Sequence, residues 1–285
     1  MIGFGSSMFL ATHGILARGG APASSLLLDT YSGAAAAYSL RKLRTAYTGN
    51  CIRVRRSSDN TELNIGFVSN VLDTASLITF VGSGDGFVTT WYDQSGNSNN
   101  ANQSTAGLQP TIVESGILLT VNSKPNIKFY DIFTHNLRLT STIVTGISSY
   151  NSFVGKRTSS GKALFGLAGD VSSSVQYLFA LFTDNKYYLQ AKTTQYQAST
   201  ATDTTTNQLL LTGLNNAGTM SIFKNGNTIA SSALSASYTP SINNIGKYTS
   251  VSTNNALQEI VFYNSEQSSN RTGIESNINS FYSIY

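Results

Sequence analysis

The chain is short of what marks a stapled, metal-built or histidine-driven protein. It holds one cysteine, Cys51, in 285 residues, so no disulfide can close within it and a zinc site built from cysteines is excluded. Two histidines, His13 and His135, supply too few ligands for a His-rich metal centre and little material for a histidine-based triad. No metal and no cofactor is therefore expected. Charge is scarce too: Asp, Glu, Lys and Arg make up 11% of the residues, against about a quarter in an average soluble domain. Long apolar runs are missing. The first twenty residues are apolar and glycine-rich, but Thr12, His13 and Gly14 interrupt them, and the stretch is too short to span a membrane. Its first positive charge, Arg18, follows the apolar run instead of preceding it, the reverse of a secretory signal. Residues 1–24 read instead as an arm that orders against a partner.

The polarity comes from Ser, Thr, Asn, Gln and Gly, beside a hydrophobic content of 40%. Such surfaces suit extended β structure that packs against further copies or meets neutral ligands such as glycans. The net charge is +4, and six basic residues, Arg41, Lys42, Arg44, Arg53, Arg55 and Arg56, fall close together. A patch of that kind can attract phosphates. No nucleic-acid module surrounds it, however, and Arg53-Val54-Arg55 alternates like the solvent face of a strand, so nucleic acid is not expected as a partner.

Residues 25–285 read as one domain with a substantial core. Ala34 to Arg44 has helical propensity, Ile52 to Arg56 reads as a strand, and Asp73 as the N-cap of a short helix through Phe80. From Gly86 onward short strands follow one another, punctuated by Gly, Asn and Ser, the spacing of an all-β sandwich or barrel. Candidates include 86–92, 117–121, 126–130, 150–155, 176–183, 186–192, 207–214, 219–224, 227–231 and 257–263. Asn225-Gly226 fits the positive-φ requirement of a type I′ hairpin turn and would set Phe223 near Thr228. At the end, Leu257 to Tyr263 is a strand. A terminal helix after Asn264-Ser265 carries Ile274, Ile278 and Phe281 or Tyr282 on one apolar stripe.

The segment GFVTTWYDQSGNSNNANQ, residues 86–103, holds the only tryptophan, Trp91, followed at once by a polar turn. Strand alternation sets Val88, Thr90 and Tyr92 on one face and Phe87, Thr89 and Trp91 on the other. Trp91 is expected in the core. Asp93 is expected to brace the turn by accepting backbone N–H bonds. A second use of the segment is contact with a sugar, through Tyr92, Asp93 and Asn97, or a Ca²⁺ held by Asp93 and Asn97. The 176–197 hairpin offers another sugar surface, with Tyr187, Tyr188 and Gln190 beside Tyr177, Tyr196, Gln195 and Gln197 as aromatic platforms with amide neighbours.

The ending EIVFYNSEQSSNRTGIESNINSFYSIY, the KNG turn within residues 219–231 and INNIG at 242–246 together resemble laminin-G-like, concanavalin A-type sandwiches over roughly residues 110–285. The front, AAYSLRKLRTAYTGNCIRVRRSSDNTELNIGF at 36–67 with TWYDQSGN at 90–97, is similar to the start of the catalytic domain of arabinofuranosidase B-type enzymes. The same block resembles virion and tail proteins of bacterial viruses. Both resemblances imply a concanavalin A-like jelly-roll β-sandwich with short peripheral helices, and they imply different chemistry.

A glycosidase needs two carboxyl groups flanking the scissile bond. Among 14 acidic residues, Asp29, Asp59, Asp73 and Asp184 read as turn or cap residues, and Glu266 and Glu275 belong to the terminal helix. Asp85, Asp93, Glu114, Asp131, Asp170 and Glu259 remain. Asp170, in LFGLAGD, resembles the strand-end aspartate of the enzymes, but the cysteine-bearing segment that accompanies it there has no counterpart. With no second member of a pair identified, the expectation is a non-enzymatic structural or adhesion protein of a bacteriophage particle: a fibre, spike, tail or capsid-decorating component on the virion exterior. It would dock on other virion proteins through residues 1–24, assemble as a homo-oligomer and present a face to host surface glycan. The alternatives are a glycoside hydrolase of arabinofuranosidase type and a capsid protein without ligand.

Overall fold

The computed structural model describes residues 25–144, 148–168, 178–192, 195–199, 201–216, 218–233, 241–248 and 251–285. The expected N-terminal arm, residues 1–24, lies outside them, as does Asp170.

Among the described residues every strand pairing is antiparallel, and nineteen strands join into one continuous hydrogen-bonded network that folds over itself as two layers. The first layer runs, neighbour to neighbour, through Glu62–Ile65, Ile52–Arg56, Gly86–Trp91, Thr111–Glu114, Ile127–Phe129, Asn255–Tyr263, Ser149–Arg157, Leu209–Asn216, Thr219–Lys224 and Asn227–Ala233. The second runs through Leu137–Val144, Ser241–Ile245, Leu164–Ala168, Leu178–Leu181, Tyr187–Lys192 and Gln195–Ala198. Between them lies the main core, where Val54, Val88, Trp91, Phe129, Phe153, Phe179, Leu211 and Phe262 meet. The expected all-β sandwich is what the chain builds.

Gly86–Trp91 belongs to both layers. Arg53 faces Thr90 while Val54 faces Val88, so Thr89 is an extra residue, a β-bulge, in the ladder. Before the bulge the strand pairs with Thr111–Glu114, and after it Thr90 and Trp91 pair with Asn102 and Ala101. The bulge also breaks the expected alternation. Val88 and Trp91 both turn into the core at 0% exposure, while Phe87 is left half-buried on the opposite side.

The outer face of the first layer is covered by the helix Arg271–Tyr282, which begins later than the sequence suggested. Its expected stripe holds: Ile274, Ile278 and Tyr282 are buried against Tyr150, Val154, Leu210, Val261 and Tyr263. Each such apolar side chain contributes on the order of 1.5–3 kcal/mol by leaving water. The strand Asn255–Tyr263 is consequently buried along its whole length, with Ile260 and Phe262 facing the main core and Val261 and Tyr263 facing the helix.

One element departs from expectation outright. Ala36–Ser39, inside the stretch with helical propensity, is a strand paired with Asn255–Tyr263, and all four residues are buried. The small alanines fit between two covered faces, and burial on both sides outweighs a preference worth only tenths of a kcal/mol per residue. Local signals elsewhere were decisive. Asp73 caps Thr74–Val81 by accepting from the Ser76 N–H at 3.0 Å. Asn225 and Gly226 take φ of 50° and 81°, and Phe223 lies opposite Thr228. No helix among the described residues is long and apolar enough to cross a membrane.

Candidate functional site

The turn after Trp91 is built as a clamp. Asp93, 3% exposed, accepts from the Ala37 and Ser95 N–H groups at 2.9 Å through Oδ1, and from Ser95 Oγ at 2.7 Å and the Asn99 N–H at 3.0 Å through Oδ2. Gln94 continues the clamp: its Oε1 accepts from the Leu43 N–H, and its Nε2 donates to the carbonyls of Ser39 and Arg41. Asn97 donates to the carbonyls of Ala34 and Ala35. The segment thus ties the bridging strand to the edge of Ala36–Ser39. Both oxygens of Asp93 are spent on the protein itself, so the turn-brace expectation holds and its carboxylate has no lone pair left for a sugar or Ca²⁺. Tyr92, half-buried, donates its hydroxyl to Asn64 at 2.8 Å.

The other expected sugar surface is not gathered with this one. Tyr187 is 3% exposed and donates its hydroxyl to Asp203, and Tyr188 donates to Asp184 at 2.7 Å. Gln190 stands opposite Leu178 and Tyr196 within the second layer. Tyr187 is a core residue rather than a platform. The basic cluster likewise dissolves into separate contacts. Arg41 pairs with Glu259 at 2.7 Å in the interior, Arg53 with Glu62 at 2.6 Å and Arg56 with Asp59 at 2.6 Å. Arg44 donates to the Ser95 carbonyl. These pairings also account for Glu259, and Asp131 is held by Lys162 at 2.5 Å. Of the six carboxylates left open by the sequence, Asp170 lies outside the described residues, and among the other five Asp85 and Glu114 remain.

The fold brings those two into one cleft of about 580 Å³. Both line it, and they adjoin the paired residues Gly86 and Val113, Asp85 just before the one and Glu114 just after the other. Asp85 is fixed by two neighbouring turns: its Oδ1 accepts from the Ser115 N–H at 2.8 Å, and its N–H donates to Ser57 Oγ at 2.9 Å. Glu114 accepts the Tyr130 hydroxyl. Burial, and then that carboxylate, raise the Tyr130 pKa, so the phenol stays a protonated donor.

The remaining walls are aromatic and basic. Arg55 stacks its guanidinium over Phe87 at 4.6 Å and is held by Gln109 and Asn60, each at 2.7 Å. Across from it, Phe133 and His135 stack with centroids 5.3 Å apart and planes at 20°, and Tyr130 meets both edge-on. His135 accepts the Tyr130 N–H at Nδ1. Burial pushes its pKa down to about 4, so at neutral pH it serves as an uncharged ring. Two carboxyls, an aromatic wall and hydrogen-bonding neighbours make a cleft chemically suited to a sugar. No group of three or more His, Cys, Asp or Glu positioned for a metal occurs among the described residues.

The sequence named Asp85 and Glu114 but did not pair them, because the strand Thr111–Glu114 was not anticipated. The signal was present: Thr111-Ile112-Val113 is a β-branched run closed by the Ser115-Gly116 turn. Tyr130, His135 and Arg55 were missed as site residues. Nothing local distinguishes them.

Comparison with known proteins gives the fold first. The chain shares its fold with solved α-L-arabinofuranosidase structures. An arabinofuranosidase complexed with arabinofuranosyl-α-1,2-xylobiose superposes with a TM-score of 0.61 at 15% identity, over 88% of this chain and 64% of that one. A mutant GH54 α-L-arabinofuranosidase soaked with 4-nitrophenyl α-L-arabinofuranoside gives 0.62 at 17% identity over the same shares. The chain therefore spans 64% of the length of these enzymes, and at such identities the likeness is one of fold. More particularly, residues 28–153 match the family model described as alpha-L-arabinofuranosidase B, catalytic. No curated protein matches the chain.

These findings correct the functional expectation. Residues 28–153 match the model of a catalytic domain, so the expectation of a non-enzymatic bacteriophage fibre, spike, tail or decoration protein does not stand. Nothing in them links the chain to a virus particle. Of the two bodies that the front block resembled, it is the enzyme that the comparisons support.

Proposed function

We propose that the chain is a glycoside hydrolase of the arabinofuranosidase type, with the cleft of Asp85 and Glu114 as its active site. One coincidence carries the reading: the residues lining the cleft, from Arg55 to His135, all fall within residues 28–153, which match the catalytic-domain model. Glycosidic cleavage asks one carboxyl to protonate the leaving oxygen and a second to attack the anomeric carbon or activate water. Asp85 and Glu114 line the same cleft, each oriented by its own donor, Ser115 N–H and Tyr130 Oη. Phe133 and Phe87 supply apolar faces, and Arg55 and Thr111 supply hydrogen-bonding neighbours.

The test is turnover of 4-nitrophenyl α-L-arabinofuranoside and of arabinose-substituted xylo-oligosaccharides by the purified chain. Asp85→Asn and Glu114→Gln should each lower kcat/KM by about 10²–10⁴-fold. Azide rescue of one variant identifies the nucleophile. A wild-type chain without turnover on this panel overturns the hydrolase. Full activity in both variants, with loss in Asp170→Asn, moves the site to the strand-end aspartate.

A further inference from the structure

We propose that the outward face of Phe133 is a stacking platform for a sugar ring beside the cleaved bond, which makes this residue a specificity determinant of the cleft. The proposal rests on the glycan reading of the cleft given above, and it concerns which substrates are held rather than how they are cut.

The observation behind it is a large apolar side chain held rigidly where water should disfavour it. Phe133 is 52% exposed and its neighbour Ile132 76%, both on the short 3₁₀ turn Asp131–Phe133. Exposed apolar residues on a loose turn can fold back onto the surface. This turn cannot, because it is tied from several directions. The Asp131 carboxylate accepts from Lys162 Nζ at 2.5 Å, Asn254 Nδ2 at 3.3 Å and the Ile132 N–H at 3.0 Å. The turn closes through the Thr134 N–H on the Asp131 carbonyl at 3.1 Å, with Thr134 itself left-handed at φ 54°. A non-glycine residue in that region is uncommon and is retained where the surroundings dictate it.

The ring is also presented one-sidedly. His135, 4% exposed, covers one face of Phe133 in the 20° stack. Being uncharged near neutral pH, it packs there as a flat apolar backing. The opposite face is what remains for a ligand. Phe133 lines the cleft that also holds Glu114 and Asp85. An aromatic face next to carboxyl, guanidinium and hydroxyl groups matches a sugar ring, whose C–H face is apolar and whose rim is polar. A protein partner would be expected to bury a wider apolar area than two side chains. Because Phe133 is already immobilised, binding loses little side-chain entropy.

Isothermal titration of the full chain with an arabinose-substituted xylo-oligosaccharide tests this, alongside its hydrolysis. Phe133→Ala should weaken binding about tenfold, and Phe133→Trp should keep or tighten it. Both should retain the wild-type thermal midpoint, because the side chain is mostly outside the core. Unchanged affinity in Phe133→Ala overturns the platform, whether or not the chain hydrolyses its ligand. So does a wild-type chain that binds no oligosaccharide, or a Phe133→Ala variant that changes only the oligomeric state, which would mean that the face meets another copy. Binding that depends on Phe133 without any turnover keeps the platform and removes the hydrolase.

Discussion

Replacing Asp93 by alanine removes an acceptor that four donors share. The N–H groups of Ala37 and Asn99 belong to buried residues and lose their partner with no route to solvent, whereas Ser95 is half-exposed and can hydrate. An unsatisfied buried donor costs about 1–3 kcal/mol, so two of them, with the lost charge-assisted bonds, place the penalty at about 3–5 kcal/mol. That is a large part of the roughly 5–15 kcal/mol by which a domain is stable. Trp91 is the only tryptophan, fully buried and two residues away, so its fluorescence reports the region directly. In urea, with a slope of about 3 kcal/mol/M for a chain of this size, the midpoint should fall by about 1 M or more. Far-UV circular dichroism should shift with it. Asp93→Asn keeps one acceptor oxygen but turns an NH₂ toward the remaining donors, so it should lie between wild type and alanine. A loss under about 1 kcal/mol in Asp93→Ala would refute the brace and return the carboxylate to the list of ligand contacts.

Three further outcomes follow from the same reasoning. His135 is depressed from 6.5 to about 4, so the unfolded chain binds more protons between those values. Stability is complete above about pH 6.5 and declines as pH falls toward 4, by on the order of 1–3 kcal/mol. Thermal melts over that window should show the slope, and His135→Phe should flatten it. Gly246 has φ 81°, and a Cβ there would lie 2.2 Å from the Phe129 ring. Gly246→Ala should therefore cost several kcal/mol, about as much as a large core cavity, read as a lowered melting temperature. Arg41→Met leaves Glu259, 1% exposed, without its cation and should cost about 3–5 kcal/mol in urea unfolding. The double variant Arg41→Met with Glu259→Leu should recover much of that loss.

What could be read from the sequence was local. The Asp73 cap, the Asn225-Gly226 turn and the Ile274–Ile278–Tyr282 stripe each depend on residues within two helical turns or one hairpin, and each is present as read. Trp91 was placed in the core correctly, although for an incomplete reason. Simple alternation grouped it with Phe87, and the bulge at Thr89, which no local preference announces, separates them. Ala36–Ser39 was misread because its partner strand stands at the other end of the chain. The cleft shares that difficulty. Asp85 and Glu114 become a pair through the register Gly86↔Val113, and Tyr130 joins them through a third strand. Judged one carboxylate at a time, neither looked catalytic, and the functional conclusion drawn from that absence went the wrong way.

The strand Asn255–Tyr263 sets an order on folding. Its neighbours include Ala36–Ser39 from the front of the chain, Ile127–Phe129 beside the cleft and Ser149–Arg157 from the middle. None of these can complete its hydrogen bonding until the last strand arrives, and contacts so distant in sequence carry a high loop-closure cost that slows folding. On a ribosome, the segment that resembles a catalytic domain would emerge early and remain an open half-sheet with exposed edges. A fragment ending near residue 153 should accordingly aggregate rather than fold, however well it matches its relatives.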